Sequence, residues 1–340
     1  MIVVWMGVML AGVAAIVWGA ETFAKHLGSA AVRLRVSSFA LALLLAGAEP
    51  EELATTIAAT MRGAPAIAFG DVIGANIAIC LVALGVGAIV APLPFGQRVR
   101  RYALFGLPLG VTAVGFLWDG LVTRLEGAIL LGLYVLYIGM IWVVERQPPA
   151  MGETGVLEES AEEFAHEAGG ELPGRVGKEL LLVAVGLVAM AIGSVLLVEA
   201  VRQITQVEST QTMLALTVVG FATAFELVIL CWSAARKGAT EVVVAGVVGS
   251  FAYNVTMTLG AAAVIHPLLI VDATLLHQPA IAMLAALLLA ILLAVPKQHI
   301  SRSAGWLLVA AYLVFLIALF LAAPSYSSAQ FSRAIIMGQP

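Results

Sequence analysis

Charged residues are scarce in this chain, and their scarcity is the first guide to its class. They make up 11% of the 340 residues, and hydrophobic residues make up 62%, whereas a soluble domain carries about 25% charged residues. The mean hydropathy of +1.05 excludes an ordinary soluble enzyme. The net charge of -4 is small and is set by one acidic stretch, so it gives no indication of nucleic acid as a partner.

Catalytic and disulfide-forming motifs are also missing. The two cysteines, Cys80 and Cys231, stand in apolar segments, where cysteine acts as a small buried apolar residue and not as part of a disulfide framework or metal site. There is no HExxH motif, no pair of equivalent intramembrane aspartates and no serine with a suitable membrane histidine. We therefore expect no enzyme and no cofactor other than transported ions. No basic residue precedes the first apolar run, which favours a retained first helix over a cleaved signal peptide.

Long apolar segments are what the chain has in abundance. They are too long for strands and show no sustained alternation, and each approaches the roughly 20 residues that cross a bilayer as a helix. We predict an all-α membrane protein whose ten transmembrane helices form two inverted five-helix repeats. The predicted units are a first half at 1–144, an acidic cytoplasmic linker at 145–178 and a second half at 179–340. The predicted spans are 2–20, 37–60, 66–91, 102–118, 125–144, 179–199, 209–235, 240–264, 278–295 and 304–323.

The distribution of lysine and arginine predicts an orientation. With the N-terminus outside, thirteen of the seventeen basic residues fall in inside loops, and Arg62, Arg124, Arg202 and Arg333 remain outside. The positive-inside rule therefore predicts that both termini lie outside. For the acidic loop, a solvated linker is favoured over a segment that senses divalent cations.

A polar motif occurs twice, once in each half. The first copy is GAEPEELATTIAATMRGAPAIAFGDVIGANIAICLVALG (47–85), and the second is GFATAFELVILCWSAARKGATEVVVAGVVGSFAYNVTMTLG (220–260). Glu52 is equivalent to Glu226, and after one inserted residue Gly74 is equivalent to Gly249. Ionisable groups are costly in hydrocarbon unless they face a cavity, a partner or an ion. The duplication therefore indicates an ion pathway between two related halves.

Carboxylates in the first copy are candidate cation ligands. Glu49 and Glu52 are three residues apart and are expected to share a helix face, with Glu51 pointing elsewhere. Pro50 interrupts the helix and would expose carbonyl oxygens to a cavity. Carboxylate and carbonyl oxygens suit Ca²⁺ or Na⁺ better than copper or zinc. The open alternative for Glu49 and Glu51 is that they reach an aqueous vestibule.

The second copy and the third span add further candidates. Glu226 supplies a second carboxylate with Thr223 on its face, and Ser250 and Asn254 offer neutral oxygens four residues apart on the next span. Helix packing is the competing interpretation for Thr223, Ser250 and Asn254. Asp71 is either a ligand or a helix-start residue stabilised by the helix dipole.

These two segments resemble the alpha repeats of the sodium/calcium exchanger family, within the cation/calcium antiporter superfamily. The family's repeat reads G-T-S-L-P-E-L and then, beginning eighteen residues beyond the glutamate, G-N-V-I-G-S-N-I-F-N. Residues 47–53 and 70–79 match it in register, and the run GAETFAKHLG at 19–28 agrees as well. The resemblance covers nearly the whole chain and implies a divergent prokaryotic-type exchanger.

Departures from the family pattern affect its oxygen ligands. The family's later serine and second asparagine, both ion-ligand positions, become Ala75 and Ile79, and Glu49 and Glu51 replace a serine and the proline. In the second copy Ser250 and Asn254 match the later ligand positions, and no proline breaks the helix at Glu226. Fewer neutral oxygens and more carboxylates favour a contribution of H⁺ to coupling.

The resulting hypothesis is a secondary antiporter that exchanges Ca²⁺ for Na⁺ or H⁺ by alternating access, with Glu52 and Glu226 as central ligands. The alternatives are a monovalent Na⁺/H⁺ exchanger and a degenerate, non-transporting membrane scaffold. The expected partners are membrane lipid and small cations, without nucleic acid, in a prokaryotic cell membrane. Oligomeric state does not follow from the sequence.

Overall fold

The computed structural model describes residues 2–33, 49–146, 176–238 and 241–336, and in this part of the chain the structure is helical apart from four two-residue strands. The predicted linker therefore lies almost wholly outside the described residues, as does the first half of the predicted span 37–60. The first half contains α1 (Ile2–Arg33), α2 (Pro50–Met61), α3 (Pro65–Ala78), the π-helix π1 (Ile79–Ala83), α4 (Leu84–Val90), β1 (Leu93–Pro94), α5 (Gln97–Leu117), β2 (Leu121–Val122) and α6 (Arg124–Glu145).

The second half repeats much of this order. It contains α7 (Val176–Ile204), α8 (Glu208–Leu214), π2 (Ala215–Val219), α9 (Gly220–Thr223), α10 (Phe225–Lys237), α11 (Glu241–Tyr253), π3 (Asn254–Thr258), α12 (Leu259–Ile265), β3 (Leu268–Leu269), α13 (Thr274–Ala294), a 3₁₀ turn (Val295–Lys297), β4 (His299–Ile300) and α14 (Arg302–Ile336).

Local irregularities recur at matching places in the two halves. The five-residue π-helices π1 and π3 are each followed by a seven-residue helix, α4 or α12. Each of these helices leads through a short strand into a 21-residue helix, α5 or α13. The strands pair crosswise between halves, because β1 pairs with β4 and β2 with β3, both antiparallel. The duplication seen in the motif therefore extends to the backbone.

Eight of the ten predicted spans correspond to helices apolar and long enough to cross a membrane. Seven qualify singly, and α8 to α10 form a further candidate that is bent by 42°. The predicted span at 102–118 is a helix, α5, but it starts with the polar turn from Gln97 to Arg101 and is not among the candidates. The described chain is thus an all-helical, multi-pass membrane protein.

The first helices of the two halves, α1 and α7, pack against each other through glycines. A Cβ atom built on Gly12 would lie 2.8 Å from the carbonyl oxygen of Gly193, and one on Gly186 would lie 2.7 Å from that of Gly19. Such close backbone contact needs small residues. The centre of the molecule lies elsewhere, in α3, π1, α11 and π3, which carry the most buried side chains.

Candidate cation-binding site

Two helices begin at equivalent positions inside the apolar centre. α2 begins at Pro50, with Glu49 in a non-helical conformation before it, and α10 begins at Phe225 after a break at Ala224, the position equivalent to Pro50. The second segment was expected to be unbroken because it lacks proline. That expectation is wrong, since the chain bends by 42° there. Both breaks place glutamates in the first turn of a helix, where the helix dipole stabilises negative charge.

Glu49 is buried at the junction of the two halves. Its side chain is 0% exposed, which rules out the alternative that it reaches an aqueous vestibule in this structure. Its carboxyl group lies beside Glu52 and beside Ser250 and Asn254 of the second half. The predicted ligands Glu49, Glu52, Ser250 and Asn254 are therefore brought together.

Glu51 belongs to the same cluster, contrary to the prediction that it points elsewhere. It is 1% exposed, and its carboxyl group lies within electrostatic range of Glu226, Glu49 and Asp71. The helix-face rule misplaced it because Glu49 precedes α2, so that the spacing from Glu49 does not follow helical geometry. Glu51 is the residue of the cluster that sequence reasoning left out of the candidate ligands.

Asp71 accepts a hydrogen bond from one hydroxyl group of each half. Thr56 Oγ1 donates to its Oδ2 at 2.9 Å, and Thr223 Oγ1 donates to its Oδ1 at 3.0 Å. Asp71 lies inside α3, six residues after its first residue Pro65, so the helix-start interpretation is wrong. Its carboxylate lies within electrostatic range of Glu51 and Glu52.

Thr223 is in the site, but its hydroxyl is engaged within the protein. Besides donating to Asp71, it lies 3.3 Å from the carbonyl oxygens of Val219 and Gly220 in the turn before the break. Thr223 thus holds Asp71 and the end of α9 in place. Its assignment as a direct cation ligand stays a prediction.

Neutral oxygens come mainly from the second half. Ser250 and Asn254 are buried, and the amide of Asn254 donates to Asn76 Oδ1 at 3.5 Å. Asn254 is the first residue of π3, and π-helical turns are frequent at functional sites. In the first half, the equivalent positions Ala75 and Ile79 are fully buried and offer no side-chain oxygen.

The carboxylates of this cluster have no basic counterpart. All six carboxylate oxygens of Glu49, Glu51 and Glu52 are shielded from solvent without a hydrogen bond among the described residues. No lysine, arginine or histidine in the described part of the chain is buried. A buried charge is costly unless it is paired, so this cluster requires cations or protons for neutralisation.

The cluster does not have the form of a transition-metal centre. Among the residues that the structure describes, no three acidic, imidazole or thiol side chains are grouped as ligands of one metal ion. A cation bound here would take part of its coordination from neutral oxygens such as those of Ser250 and Asn254. Mixed oxygen coordination is typical of hard cations.

A buried acidic centre between two similar halves, with helices broken inside the membrane, defines this protein as a membrane transporter of ions. The family described as "Sodium/calcium exchanger protein" matches residues 4–143 and 178–321. The chain belongs to that family, and the protein is therefore an ion exchanger and not an enzyme.

Individual relatives align with this chain over nearly its full length and theirs. The chain is 25% identical to the putative antiporter CaxA of Alkalimonas amylolytica, over 92% of this chain and 97% of the relative. It is 25% identical to the sodium/calcium exchanger MaX1 of Methanosarcina acetivorans, over 94% and 99%. Among solved structures, the sodium-calcium exchanger NCX_Mj soaked with 10 mM Na⁺ and zero Ca²⁺ is similar with a TM-score of 0.60. That match has 22% identity and covers 94% of this chain and 100% of the other, which shows the shared fold.

Proposed function

We propose that this protein is a secondary active antiporter that exchanges Ca²⁺ for Na⁺ or H⁺. The observation that carries the proposal is the buried cluster of Glu49, Glu51, Glu52 and Asp71, which lies beside the half-buried Glu226. No buried basic residue accompanies the four buried carboxylates in the described part of the chain. Ca²⁺ is bound by carboxylates together with neutral oxygens. Family membership and the similarity to MaX1, a sodium/calcium exchanger, support the same substrate.

Alternating access is the proposed mechanism, with the units 1–144 and 179–340 as inverted repeats joined by a linker at 145–178. The crosswise pairing of β1 with β4 and of β2 with β3 supports this arrangement, as do the equivalent breaks at Pro50 and Ala224. Ten spans in all are proposed. In this mechanism one group of helices rocks against another around a fixed site, so that the cluster faces one side of the membrane at a time.

The proposed ligands are Glu52 and Glu226 at the centre, with Glu49, Ser250 and Asn254 around them and Asp71 and Thr223 beside them. Glu51 extends this set. No resident cofactor is proposed, because the cations are the substrate. The protein is proposed to lie in a prokaryotic cell membrane with both termini outside, in contact with lipid and without a nucleic-acid partner.

The test is ion flux in proteoliposomes that contain the purified protein. Vesicles loaded with Na⁺, or with an acidic interior, are diluted into Ca²⁺, and Ca²⁺ entry is followed. Entry driven by either gradient supports the proposal, and absence of Ca²⁺ movement under both, with folded protein, contradicts it. Na⁺-driven proton movement without Ca²⁺ movement would identify a monovalent Na⁺/H⁺ exchanger, the second candidate, which the excess of carboxylates favours. No movement of any of these ions would favour the scaffold interpretation.

A further inference from the structure

The two halves differ in an ion pair between a motif helix and the α1–α7 pair. Arg62 follows the last residue of α2, and its guanidinium forms an ion pair with the carboxylate of Glu199 on α7. Gln203 Nε2 also donates to Glu199, at 2.8 Å. This ion pair connects the end of the first motif helix to the first helix of the other half.

The equivalent positions in the second half carry two positive charges. Arg236 is equivalent to Arg62, because each lies ten residues after its motif glutamate. Lys25 is equivalent to Glu199, because each lies six residues after a glycine of the reciprocal α1–α7 contact, Gly19 or Gly193. Arg236 makes no ion pair with a described residue, and its guanidinium lies 4.9 Å from the ring centroid of Trp232. Like charges at these two positions would repel each other if the positions approached as closely as Arg62 and Glu199 do.

The residues next to these positions are more buried on α2 than on α10. Along α2, Thr55 is 0% and Ala58 8% exposed, and Thr55 Oγ1 lies 2.9 Å from Ser194 Oγ of α7. On α10 the equivalent residues, Ile229 and Trp232, are 46% and 40% exposed. The first motif helix is therefore closed against α7, whereas the corresponding face of α10 is uncovered.

The α1–α7 pair is also linked internally, at the end where Lys25 lies. His26 Nδ1 and Glu179 Oε2 are 2.7 Å apart across the two helices, and the glycine contacts hold the helices together along their length. The pair can therefore change its position relative to α2 and α10 as one unit.

We infer that the Arg62–Glu199 ion pair is a latch that closes the site on the side of the membrane where α2 ends, and that the repulsion between Arg236 and Lys25 opposes closure on the other side. The inference rests on the proposed exchange by alternating access. It assigns the preferred state of the empty protein: closed at the Arg62 face and open at the Arg236 face. By the distribution of basic residues, the closed face is the expected outer one.

Thiol accessibility tests the latch without any transport measurement. In a background with Cys80→Ala and Cys231→Ala, a cysteine is placed at Thr55 or at Ile229 and reacted with a charged, water-soluble thiol reagent in detergent without Ca²⁺. We expect fast labelling of Ile229→Cys and slow labelling of Thr55→Cys. Failure of Ile229→Cys to label faster than Thr55→Cys would overturn the inference, because α10 would then face lipid and not an aqueous opening.

Charge changes then test the ion pair itself. Arg62→Gln or Glu199→Gln should accelerate labelling at Thr55→Cys about two- to fivefold, a modest change because partly exposed ion pairs are weak. The charge swap Arg62→Glu with Glu199→Arg should restore slow labelling. Arg124→Gln is the control, because Arg124 donates to the Ile265 carbonyl oxygen, at 3.4 Å, and forms no ion pair with a described residue. An effect of Arg124→Gln as large as that of Arg62→Gln, or no effect of breaking the pair, would contradict a latch.

The decisive variant installs the missing partner. Lys25→Glu gives Arg236 an acidic counterpart and should slow labelling of Ile229→Cys about two- to fivefold, whereas Lys25→Gln should have a smaller effect. An unchanged rate in Lys25→Glu would overturn the inference. A protein that shows these labelling changes but moves no Ca²⁺ would retain the latch and refute the proposed antiport, so the two failures are distinguishable.

Discussion

The hydroxyl of Thr223 donates to Asp71 Oδ1 at 3.0 Å, and this bond joins the second motif copy to the first. Thr56 holds the other carboxylate oxygen, so one aspartate links α2, α3 and α9. The carboxylate is buried and accepts a hydrogen bond at each oxygen. Removal of either donor leaves one oxygen of this buried carboxylate without a hydrogen bond, which is costly.

Thr223→Val should destabilise the folded protein by about 1–3 kcal/mol, because it leaves one oxygen of a buried carboxylate without its donor. Thermal unfolding in detergent measures the effect. Thr217→Val is the matched control, since Thr217 donates to the Met213 carbonyl oxygen on the same segment and does not contact Asp71. Combining Thr223→Val with Asp71→Asn should give a non-additive result. Full additivity would show that the bond contributes nothing.

Glu52→Gln and Glu226→Gln should each abolish Ca²⁺ exchange while the protein remains folded. Glutamine keeps the side-chain volume but removes the charge that a divalent cation requires. For Glu52→Gln, the unfolding temperature without Ca²⁺ should stay equal or rise, because the Glu52 carboxylate is buried without a hydrogen bond among the described residues and a buried charge without a partner is costly. Proteoliposome flux and thermal unfolding provide the two readouts. Near-normal flux in either variant would place the ion site elsewhere.

Glu51→Gln should reduce exchange at least about tenfold, although the sequence pattern did not mark Glu51 as a ligand. Its carboxylate is buried within electrostatic range of Glu226, so its charge adds to the attraction for a cation. Glu21→Gln is the control, because Glu21 is exposed on α1. Equal flux in the two variants would remove Glu51 from the site.

The predicted orientation has a direct labelling test. A cysteine introduced at Ser160, in the acidic loop, should resist an impermeant thiol reagent in intact cells and react in inverted vesicles, because the distribution of basic residues predicts a cytoplasmic loop. Labelling in intact cells would reverse the orientation, and with it the side assigned to every loop.

Periodicity and composition predicted the helical fold well, because a long apolar run has one stable conformation in a membrane. The run from Arg124 to Glu145 and its equivalent beginning at Arg302 are therefore found where the sequence placed them. The polar first turn of α5 was not part of its predicted span, because the span was bounded by hydrophobic residues and this turn contains arginines. The equivalence of Glu52 and Glu226 was also predicted from the sequence, because the two motif copies align around these residues.

The details of the site depended on packing that no local pattern encodes. Ala224 is neither proline nor glycine, yet the helix breaks there after the π-helical turn π2. A Cβ atom built on the neighbouring Gly220 would lie 2.5 Å from the backbone nitrogen of Ala75, so this turn is pressed against α3 of the other half. Contact between halves shapes this break. The placement of Glu51 was missed for a different reason, because Glu49 lies before the first residue of α2 and its spacing to Glu51 and Glu52 is not helical.

The coupling ion can be tested at the two positions where the family's oxygen ligands are missing. Ala75 and Ile79 are fully buried at the centre, and Na⁺ needs several close oxygens to replace its water. H⁺ needs only a carboxylate, and this cluster has five. We therefore expect H⁺ to contribute to coupling, with Ca²⁺ flux that changes steeply between about pH 6 and pH 8, as protons compete for the buried carboxylates.

Ala75→Ser combined with Ile79→Asn should shift the protein towards Na⁺ dependence, and Ala75→Gly with Ile79→Leu, which adds no oxygen, should not. Flux is measured with Na⁺ and H⁺ gradients imposed separately across the pH range. Strong, saturable Na⁺-driven exchange in the unmodified protein, insensitive to pH, would reject proton coupling and indicate ordinary Na⁺/Ca²⁺ exchange.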